Sequence, residues 1–145
     1  MILVDANLLI YAIDSDANHH RRALRWFEQS VGSGVELGFA WIVLLAFLRI
    51  TTHPNIMREP LDAEAAIAYI DEWLALPNTR VVNPGSGHWG LLKGLVTATG
   101  TAGNLTSDAH LAAVAMETGA TIYSADVDFA RFKGVRHVNP LTAAS

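Results

Sequence analysis

Residues 1–14 read MILVDANLLIYAID, and the run Ile2, Leu3, Val4 ending in Asp5 decides how the rest of the chain is read. A short apolar run, rich in branched side chains and closed by a polar pair, is the pattern of a strand buried on both faces of a parallel sheet. Its carboxyl end then emerges at Asp5, on the rim where open α/β sheets carry their chemistry. A second reading makes Asp5 the N-cap of a helix that begins near Ala6, because Asp is a favoured cap and NLLIYAI continues as helix. What bears on the choice is whether other carboxylates recur at matching strand ends.

Outward from that stretch, helical and strand patterns alternate. HHRRALRWFEQS has helical spacing and is stopped by Gly32 and Gly34, with Leu24 and Phe27 turned inward. VELGFA predicts a short second strand, and WIVLLAFLRITTH a buried helix ended where Pro54 disfavours helix at His53. PLDAEAAIAYIDEWLALP predicts a helix with Asp62 in its first turn and Ile67, Ile70, Trp73 and Leu74 on one face. TRVVNP reads as a strand, SGHWGLLKGLVTATG as a helix, and SDAHLAAVAMETGA as an Ala-rich helix closed by Gly119. TIYSAD is another apolar strand ending in Asp, and VRHVNPL a last short one. This alternation predicts a three-layer α/β/α sandwich around a mostly parallel sheet.

A chain of 145 residues that is 51% hydrophobic and 17% charged suffices for one substantial core, so residues 1–145 are expected to form one domain. No linker-like, low-complexity or repeated tract divides it. The lack of cysteine excludes a disulfide framework, a thiol nucleophile and a Cys-ligated zinc site, and fits a reducing cytoplasm. The N-terminus has no basic segment ahead of its apolar residues, so no signal peptide is expected. The longest apolar stretch, Leu37 to Leu48, falls well short of the about 20 residues needed to cross a bilayer. A formal net charge of -4 offers no general basic field for nucleic acid. Contact with RNA or DNA then needs metal ions or a local basic patch, of which His19 to Arg25 is the densest; that stretch also reads as the solvated start of an amphipathic helix.

The carboxylates do recur. Asp5 ends the first strand, Asp126 ends TIYSAD, Asp108 lies in the first turn of SDAHLAAVAMETG, and Asp128 follows Asp126 by two residues. Parallel strand ends and the neighbouring helix N-termini share one rim, so these groups converge. Converging carboxylates repel one another unless a cation lies between them, and no Lys or Arg occurs in these motifs. Hard oxygen donors of this kind suit Mg²⁺ or Mn²⁺. Such ions polarise a phosphodiester and activate water for in-line attack, and they bridge an acidic protein to phosphate.

The motifs ILVDAN, FLRITTHP, GNLTSDAHLAAVAMETGATIYSADVDFARFKGV and NPL, in this order across nearly the whole chain, resemble the PIN-domain ribonucleases. The closer likeness is to the VapC toxins of bacterial type II toxin-antitoxin modules. The resemblance implies a PIN domain acting as a Mg²⁺- or Mn²⁺-dependent endoribonuclease, held inactive by a VapB-like antitoxin. It also implies a homodimer and a groove that receives an antitoxin segment. Asp5 and Asp108 match the principal metal-binding acids, Asp126 the acid that completes the cluster, and Asp128 a further acid beside it. Asn7 matches a position that holds Asp5 or a ligand water, or serves ordinary turn chemistry.

One departure concerns the helix before FLR, where the family commonly has Glu and this chain has Ala46. No neighbour on that helix supplies a carboxylate, and Glu36 falls on the preceding strand. The site is then one negative charge short and is expected to hold a second ion poorly or not at all. An alternative reading is therefore a weakened PIN-fold protein that binds RNA or antitoxin without efficient cleavage. A third, a phosphatase of small phosphoesters, lacks a phosphate-cradling Gly loop.

Arg49 reads either as a contact to carboxylate or phosphate or as a structural ion pair. Thr106 and Ser107 read as helix caps or as hydroxyls facing metal water or RNA. His110, two residues from Asp108, points to another side of its helix and is expected to be structural, the histidines showing no ligand-spaced pair. Ser124 has no His arranged as a base, which excludes a serine nucleophile. Trp26, Trp41, Trp73 and Trp89 are core or, where exposed, partner surface.

Overall fold

The computed structural model describes residues 1–100 and 102–142. The strands are β1 (Ile2–Val4), β2 (Leu37–Ala40), β3 (Thr79–Val82), β4 (Thr121–Tyr123) and β5 (His137–Val138). The helices are α1 (Ala6–Ile13), α2 (His20–Ser33), α3 (Trp41–Thr51), α4 (Ala63–Leu74), α5 (His88–Thr99) and α6 (Thr106–Thr118). Short 3-10 segments occupy Gly103–Leu105 and Val127–Arg131.

All five strands pair in parallel in the order β3-β2-β1-β4-β5. The register sets Leu3 opposite Gly38 on one side and Ile122 on the other. β1 is therefore central, which is why Leu3 and Val4 are fully buried. The chain steps outward from β1 to β2 to β3, then returns across the sheet to β4 and β5. Right-handed crossovers in opposite directions place α1 to α4 on one face and α5 and α6 on the other. The helix contacts follow that division: α1 meets α2 and α3, α3 meets α4, and α5 meets α6. The reversal lies between β1 and β4, and beyond their carboxyl ends stand Asp5 and Asp126.

The core on the α1 to α4 face is aromatic. Trp73 packs against Phe47 at 4.8 Å between ring centres, with Phe39, Phe27 and Tyr69 around it. Offset and edge-on rings at these separations add to the area they bury.

Several local expectations shift by a residue or a turn. On α4 the buried positions are Ala66 and Trp73, with Tyr69 and Ile70 partly covered, while Ile67 is 49% exposed. Residues spaced i, i+3, i+4, i+7 from Ala66 form the stripe, and Ile67 stands one step off it. Asp62 is the cap of α4 rather than a first-turn residue, its carboxylate accepting the Ala65 N–H at 2.8 Å. Helix α3 is apolar up to Arg49 in its last turn yet only half buried, with Trp41 and Leu45 exposed a turn apart. Helix α2 runs through Gly32 and stops at Gly34, whose φ of 76° is the left-handed conformation that glycine adopts freely.

Candidate metal centre

Strand β1 hands Asp5 to the sheet rim, where its N–H still bonds the Tyr123 carbonyl of β4 at 3.0 Å. Its carboxylate then divides its work. Oδ1 accepts the Ala6 N–H at 2.8 Å and caps α1. Oδ2 accepts the Ser124 hydroxyl at 2.7 Å and the Asn7 amide at 3.4 Å. Capping and site placement are therefore both properties of the same side chain.

Strand β4 ends at Tyr123, so Asp126 lies past the strand, as the cap of the 3-10 segment Val127–Arg131. Its Oδ1 accepts the Asp128 N–H at 2.9 Å, which draws Asp128 onto the same rim. Helix α6 runs back against the strands, and its first turn carries Asp108 to that rim. Carboxylate oxygens of Asp108, Asp126 and Asp128 lie within 4.8 Å of one another. Asp5 stands close enough to add to their mutual repulsion.

The electrostatics follow from this crowding. Burial, and then the negative charges of Asp126, Asp5 and Asp128, push the Asp108 carboxyl up from 3.8 to about 6. Burial also raises Asp5, against the opposing pull of the Ser124 hydroxyl and the Ala6 N–H. Several carboxylates are thus held together with only hard oxygen donors between them, a set that fits a divalent ion.

Ser124 is the joint of the site, a role the sequence reading missed. The side chain is fully buried. Its hydroxyl donates to Asp5 and accepts from the Asn7 amide at 3.1 Å and the Asp126 N–H at 3.0 Å, which uses its one donor and both lone pairs. Asn7 completes the tie by accepting the Ala125 N–H at 3.2 Å. The Ser124 carbonyl accepts the His137 Nε2–H at 3.0 Å from β5. The only sequence signal was a small polar residue at the end of an apolar strand.

Between Asp5, the first turn of α6 and α3 lies an open pocket of about 330 Å³. Asp5, Asp108 and Ser107 line it on one side, and Ala46 and Arg49 of α3 line it on the other. Ala46 thus presents a methyl group to the pocket, and α3 brings no carboxylate to it. Thr106 is exposed, and helix α6 begins after Leu105 without a side-chain cap, so neither Thr106 nor Ser107 serves as one. His110 stands apart from the acids and pairs with His88 of α5, with 2.9 Å between His88 Nε2 and His110 Nδ1. Burial, and then His88, lower the His110 pKa. That pair joins two helices and was invisible as a sequence spacing.

A parallel sheet with an acidic rim at its switch point defines an α/β protein whose clustered carboxylates could bind a divalent ion. The chain matches the PIN domain family over residues 2–135. Ribonuclease VapC37 of Mycobacterium tuberculosis is 45% identical over 140 residues, covering 97% of each chain. Ribonuclease VapC33 of the same species is 40% identical over 141 residues, covering 97% of this chain and 99% of that one. The structure of VapBC2 from Rickettsia felis bound to a promoter DNA fragment has the same fold, with a TM-score of 0.71 at 17% identity, covering 96% of this chain and 98% of that one. This chain belongs to the PIN-domain family, among the VapC ribonucleases.

Proposed function

We propose that this chain, residues 1–145 acting as one PIN domain, is the endoribonuclease toxin of a VapBC-type module, dependent on Mg²⁺ or Mn²⁺. The observation that carries the reading is the meeting of Asp108, Asp126 and Asp128 within 4.8 Å on the rim that also holds Asp5. These four carboxylates would hold the ion. When bound, it supplies Lewis acidity to a phosphodiester and lowers the pKa of the attacking water. The chain's own residues set the geometry: Ser124 and Asn7 fix Asp5, the turn at Asp126 fixes Asp128, and the pocket beside α3 accepts the RNA strand. With Ala46 in the pocket wall, the donor set supports one ion better than two.

The same Ala46 favours a second reading, a protein that binds RNA or antitoxin with little cleavage. Two protein partners accompany the proposal. A VapB-like antitoxin segment suits the apolar groove of about 600 Å³ between α1, α2 and α4, lined by Leu24, Phe27, Tyr69 and Trp73. Glu28 and Glu72 also line it, so apolar anchors flanked by Lys or Arg would fit best. A second copy of the chain is the other partner, and the exposed Trp41 and Leu45 on α3 suit such a contact. No helix among the described residues is long and apolar enough to cross a membrane. We place the protein in the cytoplasm, with its RNA substrate.

Purified, metal-stripped protein incubated with total cellular RNA is expected to yield discrete fragments after Mg²⁺ or Mn²⁺ is added and none in EDTA. Folded, antitoxin-free protein that cleaves nothing with either ion would favour the binding-only reading. Hydrolysis of a chromogenic phosphoester without cleavage of RNA would point to a phosphatase.

A further inference from the structure

The pocket is acidic along one wall, yet its substrate under the ribonuclease reading, on which this inference rests, is itself an anion. Four carboxylates around one divalent ion leave an excess of negative charge. An incoming phosphodiester therefore needs a cation that does not belong to the ion's own donor set. Among the residues lining the pocket there is one such side chain, Arg49.

Three features of Arg49 fit that task. It is exposed at the pocket, in the last turn of α3. It has no hydrogen bond or ion pair among the described residues, whose one Lys/Arg–carboxylate pair joins Arg80 and Glu36. The residue three positions earlier on the same helix face is Ala46, which also lines the pocket. Residues spaced i and i+3 are neighbours on a helix, and a methyl group there cannot neutralise a guanidinium. Among the described residues the structural ion pair that the sequence left open is therefore absent, and the guanidinium lines the pocket with its donors unspent there.

We propose that Arg49 holds a phosphate of the bound RNA strand in the pocket, its planar guanidinium taking two phosphate oxygens. Arginine suits such bidentate contact, whereas lysine supplies only a point charge. Arg49 is thus a substrate-positioning residue that partly offsets the acidity of the rim.

The test is fluorescence anisotropy of a labelled, mixed-sequence, single-stranded 20-nucleotide RNA with the full chain in Mg²⁺ at 4 °C. Salt is varied, and the integrity of the RNA is checked on a gel. Arg49→Gln is expected to bind roughly tenfold more weakly, and its plot of log affinity against log salt should flatten by about 0.7, the slope of one phosphate contact on a single strand. Arg49→Lys should keep the slope and regain only part of the affinity. Arg80→Gln, which removes a positive charge away from the pocket, should match wild type, and thermal melts confirm that each variant is folded. Unchanged affinity and slope in Arg49→Gln overturn the proposal, as does a loss of affinity with the slope intact, which would make Arg49 a shaping residue. Wild-type protein that binds this RNA but, in a separate incubation at 37 °C with Mg²⁺ or Mn²⁺, yields no fragments from total cellular RNA would sink the ribonuclease reading while the Arg49 comparison still decides this one. Wild-type protein that binds no RNA overturns both.

Discussion

Replacing Asp108 with asparagine is expected to reduce metal-dependent RNA cleavage on the order of a thousandfold, about 4 kcal/mol of lost transition-state stabilisation, while raising the melting temperature of the metal-free protein at pH 7.5. The pairing of these two effects follows from the site. The Asp108 carboxyl titrates at about 6 in the fold against 3.8 when unperturbed. A group whose folded pKa is raised favours the fold most when protonated, so stability falls as pH rises from about 4 through about 6. Above that range the ionised carboxylate, crowded by Asp126, Asp5 and Asp128, works against the fold, and asparagine removes that repulsion. Excess Mn²⁺ should reverse the order, because it stabilises the wild type by binding the native state and finds a poorer site in the variant. Activity assays with thermal melts, with and without Mn²⁺, read both effects. A variant that is inactive and also less stable without metal would indicate a structural aspartate.

Ser124→Ala should have the next largest effect, and here stability and activity fall together. The hydroxyl is fully buried and serves Asp5, Asn7 and the Asp126 N–H at once. Its loss leaves buried polar groups short of partners, at a cost of about 1–3 kcal/mol. For a chain of this size that lowers the melting temperature by several degrees. It also removes the hydrogen bond that opposes the rise in the Asp5 pKa caused by burial, so Asp5 becomes a poorer ligand at neutral pH. Loss of a group that orients a metal ligand costs about 10- to 100-fold in affinity or activity. An alanine variant with wild-type melting and wild-type cleavage would show that the Ser124 joint is dispensable.

The framework was legible because parallel strands and covering helices write themselves as short apolar runs between longer periodic segments. The boundaries moved where one residue is decided by tertiary contact, as at Ile67, or where a helix buries only half its surface, as in α3. The acids were legible as a recurrence, Asp5 and Asp126 just past strand ends and Asp108 in the first turn of the helix that runs back to the same rim. Their alternative explanation, capping, turned out to be compatible with it: Asp5 and Asp126 each use one oxygen to cap the next segment. The parts that could not be read are those made by residues far apart in the chain. Ser124 reaches Asp5 across 119 positions, and His88 reaches His110 across 22. No spacing rule announces such pairs. Ala46 was visible only as a departure from a family pattern, and its meaning came from the pocket wall it shares with Arg49.

The most direct test of the central claim, that the aspartate cluster is a divalent-ion site, is a calorimetric titration of Mn²⁺ into metal-stripped protein at pH 7.5 and pH 5.5. The account predicts one ion per chain at pH 7.5, weaker binding at pH 5.5 as Asp108 takes up its proton, and little binding by Asp108→Asn. Wild-type protein that takes up no Mn²⁺ at either pH, or Asp108→Asn that binds as well as wild type, would contradict it.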